Sequence, residues 1–498
     1  MKLSRLLEHL EYECIQGDVN IEIAKVVYDS RKVEKDSLFL CISGLKFDGH
    51  LFATKAVEDG AIAVVVSTPV EGLPSHVTVI RVADTRYAMA LISAAYFEHP
   101  AKQLKVIGIT GTKGKTTTTY MIKNILENAG RKVGLVGTIE VIIGNEHIHA
   151  GNTTPESYLL QEYFKKMVDA GLDTVVMEVS SQALKMHRTD GFTFEVGVFT
   201  NLDVDHIAPG EHDTFEEYRE CKAILFRKCR YGIVNIDDEN AELILKGNTC
   251  ESICTFGMNE NASLRAQSPK LTMQGGKPGI AFRVLGSMDA PMSPDYEAKV
   301  SMPGLFSVYN SLAAIAVCRH FLVREDDILR ALSFVKVKGR IEVLPQFRDF
   351  TLLIDYAHNA MALRNLLTTL REYQPTRLIC LFGCGGDRAR DRRFQMGEVS
   401  GELADLTIIT TDNPRTEDPY AIMADIKAGL LPTNGAFMEI CDRKEAIRYA
   451  ITHAKQGDMI VLAGKGHEDY QEIHGVKYPM DERSIVAQIA ATDDKVSH

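Results

Sequence analysis

Gly108-Ile109-Thr110-Gly111-Thr112-Lys113-Gly114-Lys115-Thr116-Thr117 is the stretch whose reading decides the fold. It follows an apolar run, residues 104–109, that reads as a buried strand. It precedes Tyr120, Met121, Ile125 and Leu126, spaced as one face of a helix that stops near Gly130. A strand, a glycine turn and a helix start together make an anion site. Backbone N–H groups point outward, the helix dipole favours negative charge, and glycine lets a phosphate approach the chain. Lys115 is expected at the terminal phosphates and the Thr116 hydroxyl on Mg²⁺. The spacing departs from the common P-loop, because Gly111 has two residues, not four, before Gly114-Lys115. A turn that merely joins strand to helix is the plainer alternative. The placement of glycines, lysine and hydroxyls favours a nucleoside triphosphate.

Outward from this motif, strand-like runs alternate with helical patterns at 106–109, 133–136, 174–179, 196–200 and 232–236. That alternation predicts a parallel sheet flanked by helices. Residues 250–300 break the rhythm and read as a small antiparallel insertion. Residues 1–99 form a first unit, with strand-like runs at 37–41, 61–66 and 77–82 and a helix ending before His99-Pro100. A third unit begins at residue 337, giving the expected division 1–99, 100–336 and 337–498. Its strands, 351–354, 378–382, 406–410 and 459–462, are each followed by a polar cluster. These are Asp355-Tyr356-Ala357-His358, Gly383 to Arg388, Asp412-Asn413-Pro414-Arg415 and Gly464-Lys465-Gly466-His467-Glu468. Ligands of open α/β sheets bind beyond the carboxyl ends of the strands, so four clusters on one edge predict a second binding surface.

A chain of 498 residues is too long for one ordinary core. Its 45% apolar and 25% charged residues are ordinary for a soluble globular protein. A net charge of -11 argues against nucleic acid as a partner, since phosphate backbones need a basic surface. The first 17 residues lack the apolar core of a secretory signal, and no apolar run suits a bilayer span. The ten cysteines therefore read as reduced thiols of a cytoplasmic protein. Cys250 and Cys254 lie close, but no second pair accompanies them, so a zinc site is the weaker reading.

The chain resembles the Mur ligases, ATP-dependent amide ligases of peptidoglycan precursor synthesis. The resemblance covers nearly its whole length. It rests on Asp29-Ser30-Arg31, Asp48-Gly49-His50, Gly111 to Thr117, Asn152-Thr153-Thr154-Pro155, Glu178-Val179-Ser180-Ser181, Thr200-Asn201 through Asp205-His206, and the four clusters above. It implies an α/β protein of three domains. These are a small N-terminal α/β UDP-binding domain, a central P-loop-type parallel-sheet ATPase domain and a Rossmann-like C-terminal domain. Within the family, the likeness runs to members that add meso-diaminopimelate to UDP-N-acetylmuramoyl-L-alanyl-D-glutamate through an acyl phosphate. ATP and Mg²⁺ are the implied cofactors, and a monomer without membrane insertion is the implied state.

Residue by residue, the resemblance places Lys115, Glu178, His206 and Lys222 in the catalytic machinery. Thr116, Glu178, His206 and a carbamylated Lys222 would be the metal ligands. Glu178 also ends an apolar run, which would set its carboxylate on the edge that carries the phosphate loop. Read without the resemblance, Lys222 is one lysine on a helix, by default solvated, and His206 could be structural. The ATP contacts implied are Gly111, Thr112, Lys113, Gly114, Lys115, Thr116, Thr117, Asn310, Arg340, Asp355 and His358. A carboxylate at a strand end suits ribose hydroxyls; the plainer role for Asp355 is a cap on the next helix, and both could hold. Ser30, Leu45, Lys46, Phe47, Asn152, Thr153, Thr154, Ser180 and Arg188 resemble contacts to the UDP-sugar dipeptide. Among them Arg188 suits the peptide carboxylates, and Thr153 and Thr154 before Pro155 could be a simple turn.

Arg388, Asp412, Asn413, Pro414, Arg415, Gly464 and Glu468 resemble the diaminopimelate contacts. The arginine fork of Arg415 can hold the distal carboxylate bidentately, where the ammonium of lysine would be repelled. An exposed ion pair with Glu417 is the alternative for Arg415. The rival activities are the L-lysine-adding ligase of the same pathway and a nucleotide-binding regulatory protein that no longer ligates.

Overall fold

The computed structural model describes residues 1–44, 48–204, 207, 210–274, 276–286, 295–344, 347 and 349–492. The chain divides into two compact units, residues 1–265 with 312–327 and residues 266–311 with 328–498.

The first unit holds two sheets. One has the order Glu13–Gln16, Thr78–Arg81, Ala61–Val66, Ser37–Leu40, Lys25–Val27, with every pairing parallel except that of Glu13–Gln16. Its inner strands are largely apolar because both faces are covered. Leu38, Leu40, Ala63 and Val65 pack on one side with Leu3, Met89 and Ile92. Phe39, Val64 and Val66 pack on the other with Ala53 and Ala56. This is the two-residue period of a strand read on both faces.

The larger sheet runs Ser252–Gly257, Cys229–Asn235, Phe194–Phe199, Lys105–Thr110, Thr174–Glu178, Val133–Val136, all parallel. The antiparallel strands Glu140–Ile143 and Glu146–His149 extend it at the far edge. The strand Lys105–Thr110 sits in the middle, with Ile109 opposite Glu178 on one side and Val198 on the other. The helix Lys115–Asn128 follows, burying Tyr120, Met121, Ile122, Ile125 and Leu126. It ends where expected. Gly130 takes φ +88, its N–H reaches Glu127 O at 2.9 Å, and Arg131 N reaches Leu126 O at 3.0 Å. Those two bonds satisfy carbonyls that the helix end would orphan.

The expected insertion begins later than residue 250. Ser252–Gly257 pairs parallel with Cys229–Asn235 and so belongs to the main sheet. Its first half is exposed, and it therefore lacks the continuous apolar run that marks its neighbours. The antiparallel pair is Lys277–Gly286 with Asp295–Val300, in the second unit.

The second unit also carries a six-stranded sheet, ordered Glu342–Leu344, Thr351–Asp355, Met459–Ala463, Leu378–Phe382, Leu406–Ile409, Phe437–Glu439. Only the first pairing is antiparallel. The register sets Asp355 opposite Ala463, Leu381 opposite Leu462 and Phe382 opposite Ile409. Four strands thus finish level, and the four polar clusters leave the sheet from one edge. All ten cysteines are free thiols. Among the described residues, no helix is long and apolar enough to cross a membrane.

Candidate functional site

The glycine turn is held from the neighbouring strand end. Thr112 N donates to Asn201 O at 2.9 Å and Lys113 N to Asn201 Oδ1 at 2.9 Å. Asn201 Nδ2 and Thr200 Oγ1 donate to Lys113 O at 3.1 and 2.8 Å. Thr112 Oγ1 lies 3.0 Å from the hydroxyl of the fully buried Tyr218, and Lys113 Nζ pairs with Asp203 at 2.8 Å. Gly111 has φ +150, and a Cβ there would meet Thr200 Oγ1 at 2.0 Å, so the turn accepts only glycine at this point. The helix then starts at Lys115, whose first-turn N–H groups have no carbonyl four residues back.

Lys115 Nζ folds over the loop to Gly111 O at 2.8 Å and Thr112 O at 3.0 Å. Lys222 Nζ reaches the same Gly111 carbonyl at 3.0 Å and sits 4.4 Å from the Tyr218 ring centroid. Lys222 is 1% exposed, so the default of a solvated surface lysine is overturned. Glu178 is also buried. Its Oε2 accepts from Thr116 Oγ1 at 3.0 Å and Thr138 Oγ1 at 3.1 Å, and its Oε1 accepts from Thr138 N at 2.8 Å. Among the described residues no lysine or arginine forms an ion pair with it. A buried carboxylate served by neutral donors, beside a hydroxyl on the phosphate loop, suits a cation with oxygen ligands.

A cavity of about 180 Å³ adjoins these groups. Lys115 and Lys222 line it together with Asn152, Thr153, Thr154, Ser180 and Arg188, five of the residues expected to meet the sugar dipeptide. Thr154 is no idle turn residue, since its hydroxyl donates to Glu178 O at 2.9 Å and accepts from Ser180 N at 3.1 Å. Ser180 caps the helix Ser181–Lys185. Arg188 donates to Thr154 O at 3.0 Å and pairs with Glu156 at 2.7 Å. Ser30 opens a short 3₁₀ turn capped by Asp29 elsewhere in this unit. Leu45, Lys46, Phe47 and His206 lie outside the described residues.

In the second unit the clusters interlock. Asn413 Nδ2 donates to Glu468 Oε2 at 2.9 Å, and Asn413 Oδ1 accepts from Lys465 Nζ at 3.1 Å and Glu472 N at 2.9 Å. Gly464 N donates to Asp355 O at 3.1 Å, and a Cβ on Gly464 would lie 3.1 Å from Asp412 Oδ2. Pro414 is buried and presses its carbonyl on Gly386. Arg415 Nε pairs with Glu472 at 3.2 Å and Nη1 donates to Gly386 O at 2.5 Å. The alternative ion pair with Glu417 does not form, because Glu417 takes Arg393 at 2.7 Å. Arg388 is exposed on the same edge.

Asp355 accepts from Ile341 N and Ala357 N, both at 2.8 Å, while Asn359 caps the helix Ala360–Arg371. Its expected capping role is thereby set aside. Burial holds the Asp355 carboxyl above the usual carboxylate range against the opposing pull of Arg340 and the two N–H groups. Burial likewise draws His358 below its ordinary value. Arg340 stacks 4.9 Å from the Tyr356 ring centroid. Asn310 is buried on the helix Leu305–His320.

Several residues at these sites were not singled out from the sequence. Ser181 and His212 line the cavity, 2.9 Å apart, and stood inside or beside quoted motifs. Asn201 stood in a quoted motif too. Lys465 stood in a quoted cluster as well, whereas Thr138, Tyr218 and Glu472 carry no individual signal, since each gains its importance from a partner far along the chain.

Three family models match the chain: "Mur ligase family, catalytic domain" over residues 22–97, "Mur ligase middle domain" over 109–318 and "Mur ligase, glutamate ligase domain" over 339–466. A protein of Caldanaerobacter subterraneus subsp. tengcongensis named UDP-N-acetylmuramoyl-L-alanyl-D-glutamate--2,6-diaminopimelate ligase is 44% identical, over 99% of this chain and 100% of its own length. A Clostridium acetobutylicum protein of the same name, numbered 1, is 43% identical over 98% and 99%. A solved structure of a ligase with that name aligns over 99% of both chains, with a TM-score of 0.72 and 28% identity.

Proposed function

The chain belongs to the Mur ligase family, and on that footing we propose that it joins meso-diaminopimelate to UDP-N-acetylmuramoyl-L-alanyl-D-glutamate at the expense of ATP. The observation that carries this reading is the cavity in which Lys115 and Lys222, at the phosphate loop, share one wall system with Asn152, Thr153, Thr154, Ser180 and Arg188. A phosphoryl donor and an acidic acceptor bound there would lie side by side.

The reaction has two steps. A substrate carboxylate oxygen attacks the terminal phosphorus of ATP, the bond to the bridging oxygen breaks, and ADP leaves. The amine of diaminopimelate then attacks the acyl phosphate carbon, the tetrahedral intermediate expels phosphate, and the amine loses its proton. Such chemistry needs positioning and charge stabilisation more than covalent help from the protein. Gly111 to Thr117 cradle the phosphates, with Lys115 neutralising the transferring group. Lys222, as its carbamate, and His206 complete this set. Asn310, Arg340, Asp355 and His358 take the rest of ATP. Ser30, Leu45, Lys46 and Phe47 take the UDP part, and Arg188 steadies a peptide carboxylate.

Mg²⁺, when bound, supplies charge neutralisation of the phosphates. Thr116 and Glu178 would hold it, and their 3.0 Å contact, with no competing basic partner among the described residues, supports that assignment. Arg388, Asp412, Asn413, Pro414, Arg415, Gly464 and Glu468 receive diaminopimelate. The guanidinium of Arg415 favours it over L-lysine, whose distal ammonium it repels. We place the reaction in the cytoplasm and the enzyme as a monomer. The free thiols and the absence of a membrane-crossing helix among the described residues support that setting.

The test is a ligation assay with purified protein, ATP, Mg²⁺ and the nucleotide-sugar dipeptide, offering diaminopimelate and lysine side by side. A tripeptide product carrying diaminopimelate is expected, with phosphate release that requires both the dipeptide and the amino acid. Product with lysine alone would establish the rival ligase. Phosphate release without either acceptor would leave a plain nucleotidase.

A further inference from the structure

We propose that Glu156 is a positioning residue that ties Arg188 in the substrate cavity to Arg86 on the N-terminal helix Thr85–Tyr96, so that the two parts of the nucleotide-sugar site act as one. This rests on the cavity receiving the sugar dipeptide. Glu156 stands at the N-cap of the helix Ser157–Asp169, where a carboxylate ordinarily accepts the first-turn N–H groups. Its side chain makes no such bond. One oxygen instead takes Arg188 Nη2 at 2.7 Å and the other takes Arg86 Nη1 at 3.3 Å. The side chains of all three are about one-fifth exposed, so water competes only weakly for the charges.

The link continues at both ends. Arg86 Nε donates to Ser43 O at 3.3 Å, and the Ser43 hydroxyl donates to Asp48 at 3.3 Å, at the two margins of the segment proposed to take UDP. Arg188 Nη1 is fixed on Thr154 O at 3.0 Å, beside Ser180. A second clasp supports the first. His187, at φ +56, stacks edge-on against Tyr87 at 5.6 Å and approaches Asp84 at 3.7 Å. The start of the helix Thr85–Tyr96 thus holds the turn that presents Arg188 from both sides.

A neutralised, doubly fixed guanidinium loses little freedom when a substrate carboxylate arrives. Without Glu156, Arg188 can swing, and Arg86 no longer connects the uridine end to the peptide end. Nucleotide-sugar binding should suffer most, because among the described residues the bonds of Glu156 run to Arg86 and Arg188 and not to the phosphate loop.

The experiment measures KM for the nucleotide-sugar dipeptide, KM for ATP and kcat in the full-length enzyme. Glu156→Ala should raise the dipeptide KM roughly 10- to 100-fold, with kcat and the ATP KM within threefold of wild type. Glu156→Gln, which keeps the volume but offers a single acceptor oxygen, can hold only one of the two arginines and should recover only part of that loss. Arg86→Ala, outside the cavity, should raise the same KM, and the Arg86→Ala/Glu156→Ala double variant should fall near Glu156→Ala alone rather than at the product of the two. Equal rises for ATP and dipeptide, an unchanged dipeptide KM, or full additivity would overturn the proposal. If Glu156→Ala does not fold, Arg86→Ala decides. Wild-type enzyme that fails to ligate would sink the functional reading instead, which separates the two failures.

Discussion

Replacing Arg415 gives the sharpest test of amino-acid choice. Its backbone is held independently of its side chain, since Arg415 N donates to Glu472 O at 3.1 Å and His474 N donates to Arg415 O at 2.8 Å. The residue sits at φ +52, a left-handed conformation that any β-carbon bears with strain. Alanine therefore adds no strain to that already carried by arginine, and asparagine relieves some. The side chain forfeits its pairing with Glu472, where both partners are about a quarter exposed, worth at most about 1 kcal/mol. Among the described residues Nη2 donates to nothing, which leaves one arm of the fork for a ligand. A hydrogen bond to a charged group is worth about 1.5–3 kcal/mol. Arg415→Ala and Arg415→Asn should each raise the KM for diaminopimelate roughly 10- to 150-fold. Arg415→Lys, which keeps the charge but loses the fork, should fall between. The ATP KM should move less than about threefold, and loss of the bonds to Glu472 and Gly386 O should lower stability by about 1–3 kcal/mol. The assay is steady-state phosphate release with each substrate varied in turn. Equal shifts for ATP and diaminopimelate, or a diaminopimelate KM unchanged in both variants, would refute the assignment of Arg415 to that carboxylate.

Lys222→Ala should lower kcat about 10²- to 10³-fold while Lys115 still holds Gly111 O; a full rate would mean that the buried lysine is only structural. Gly111→Ala should weaken ATP binding at least about tenfold and cost about 1–3 kcal/mol in urea denaturation, because the new Cβ lands 2.0 Å from Thr200 Oγ1. An unchanged midpoint would show that the Thr200 clamp yields freely. His187 titrates above its ordinary value, chiefly through its hydrogen bond to Asp190. The stabilisation it brings is thus complete below the unfolded value of about 6.5 and is lost as pH rises through the higher folded value. His187→Gln should flatten the stability profile in that window, read by denaturant midpoints at successive pH; a profile as steep as that of wild type would remove His187 as its source.

The parts of the fold that were legible share a physical cause. Lys105–Thr110, Val133–Val136, Thr174–Glu178 and Leu378–Phe382 are covered on both faces, so burial alone selects an unbroken apolar run. Strands at the sheet margins escaped. Glu13–Gln16, Glu146–His149 and Phe437–Glu439 are largely exposed or half-exposed, and their residues are chosen by neither core. The partial exposure of Ser252–Gly257 likewise hid its parallel pairing and shifted the expected insertion. Lys222 shows the same limit for single residues. Its environment is set by Gly111, which is 111 positions away, and by Tyr218 one turn earlier. Composition along the helix Phe215–Ala223 gives no hint that one lysine turns inward.

Binding motifs concentrate their meaning in consecutive residues because a phosphate is small and one turn can wrap it. The supports of those motifs cannot be local, since a loop with φ +150 at Gly111 and a helix start at Lys115 must be pinned from outside. Here the pins are Thr200 and Asn201 on the adjacent strand end and Tyr218 on the next helix. The same division holds in the second unit. Asp412 to Arg415 can be read in a row, whereas Lys465, fully buried, reaches Asn413 from another strand end while it holds Glu468 within its own cluster. It follows that a variant of a supporting residue should act through the motif it holds. Loss of the Tyr218 hydroxyl, for example, leaves the Thr112 hydroxyl its contacts at Asp203 and loosens the turn from one side only. Its effect should then be smaller than that of Gly111→Ala, which displaces the turn against Thr200 and Asn201 together.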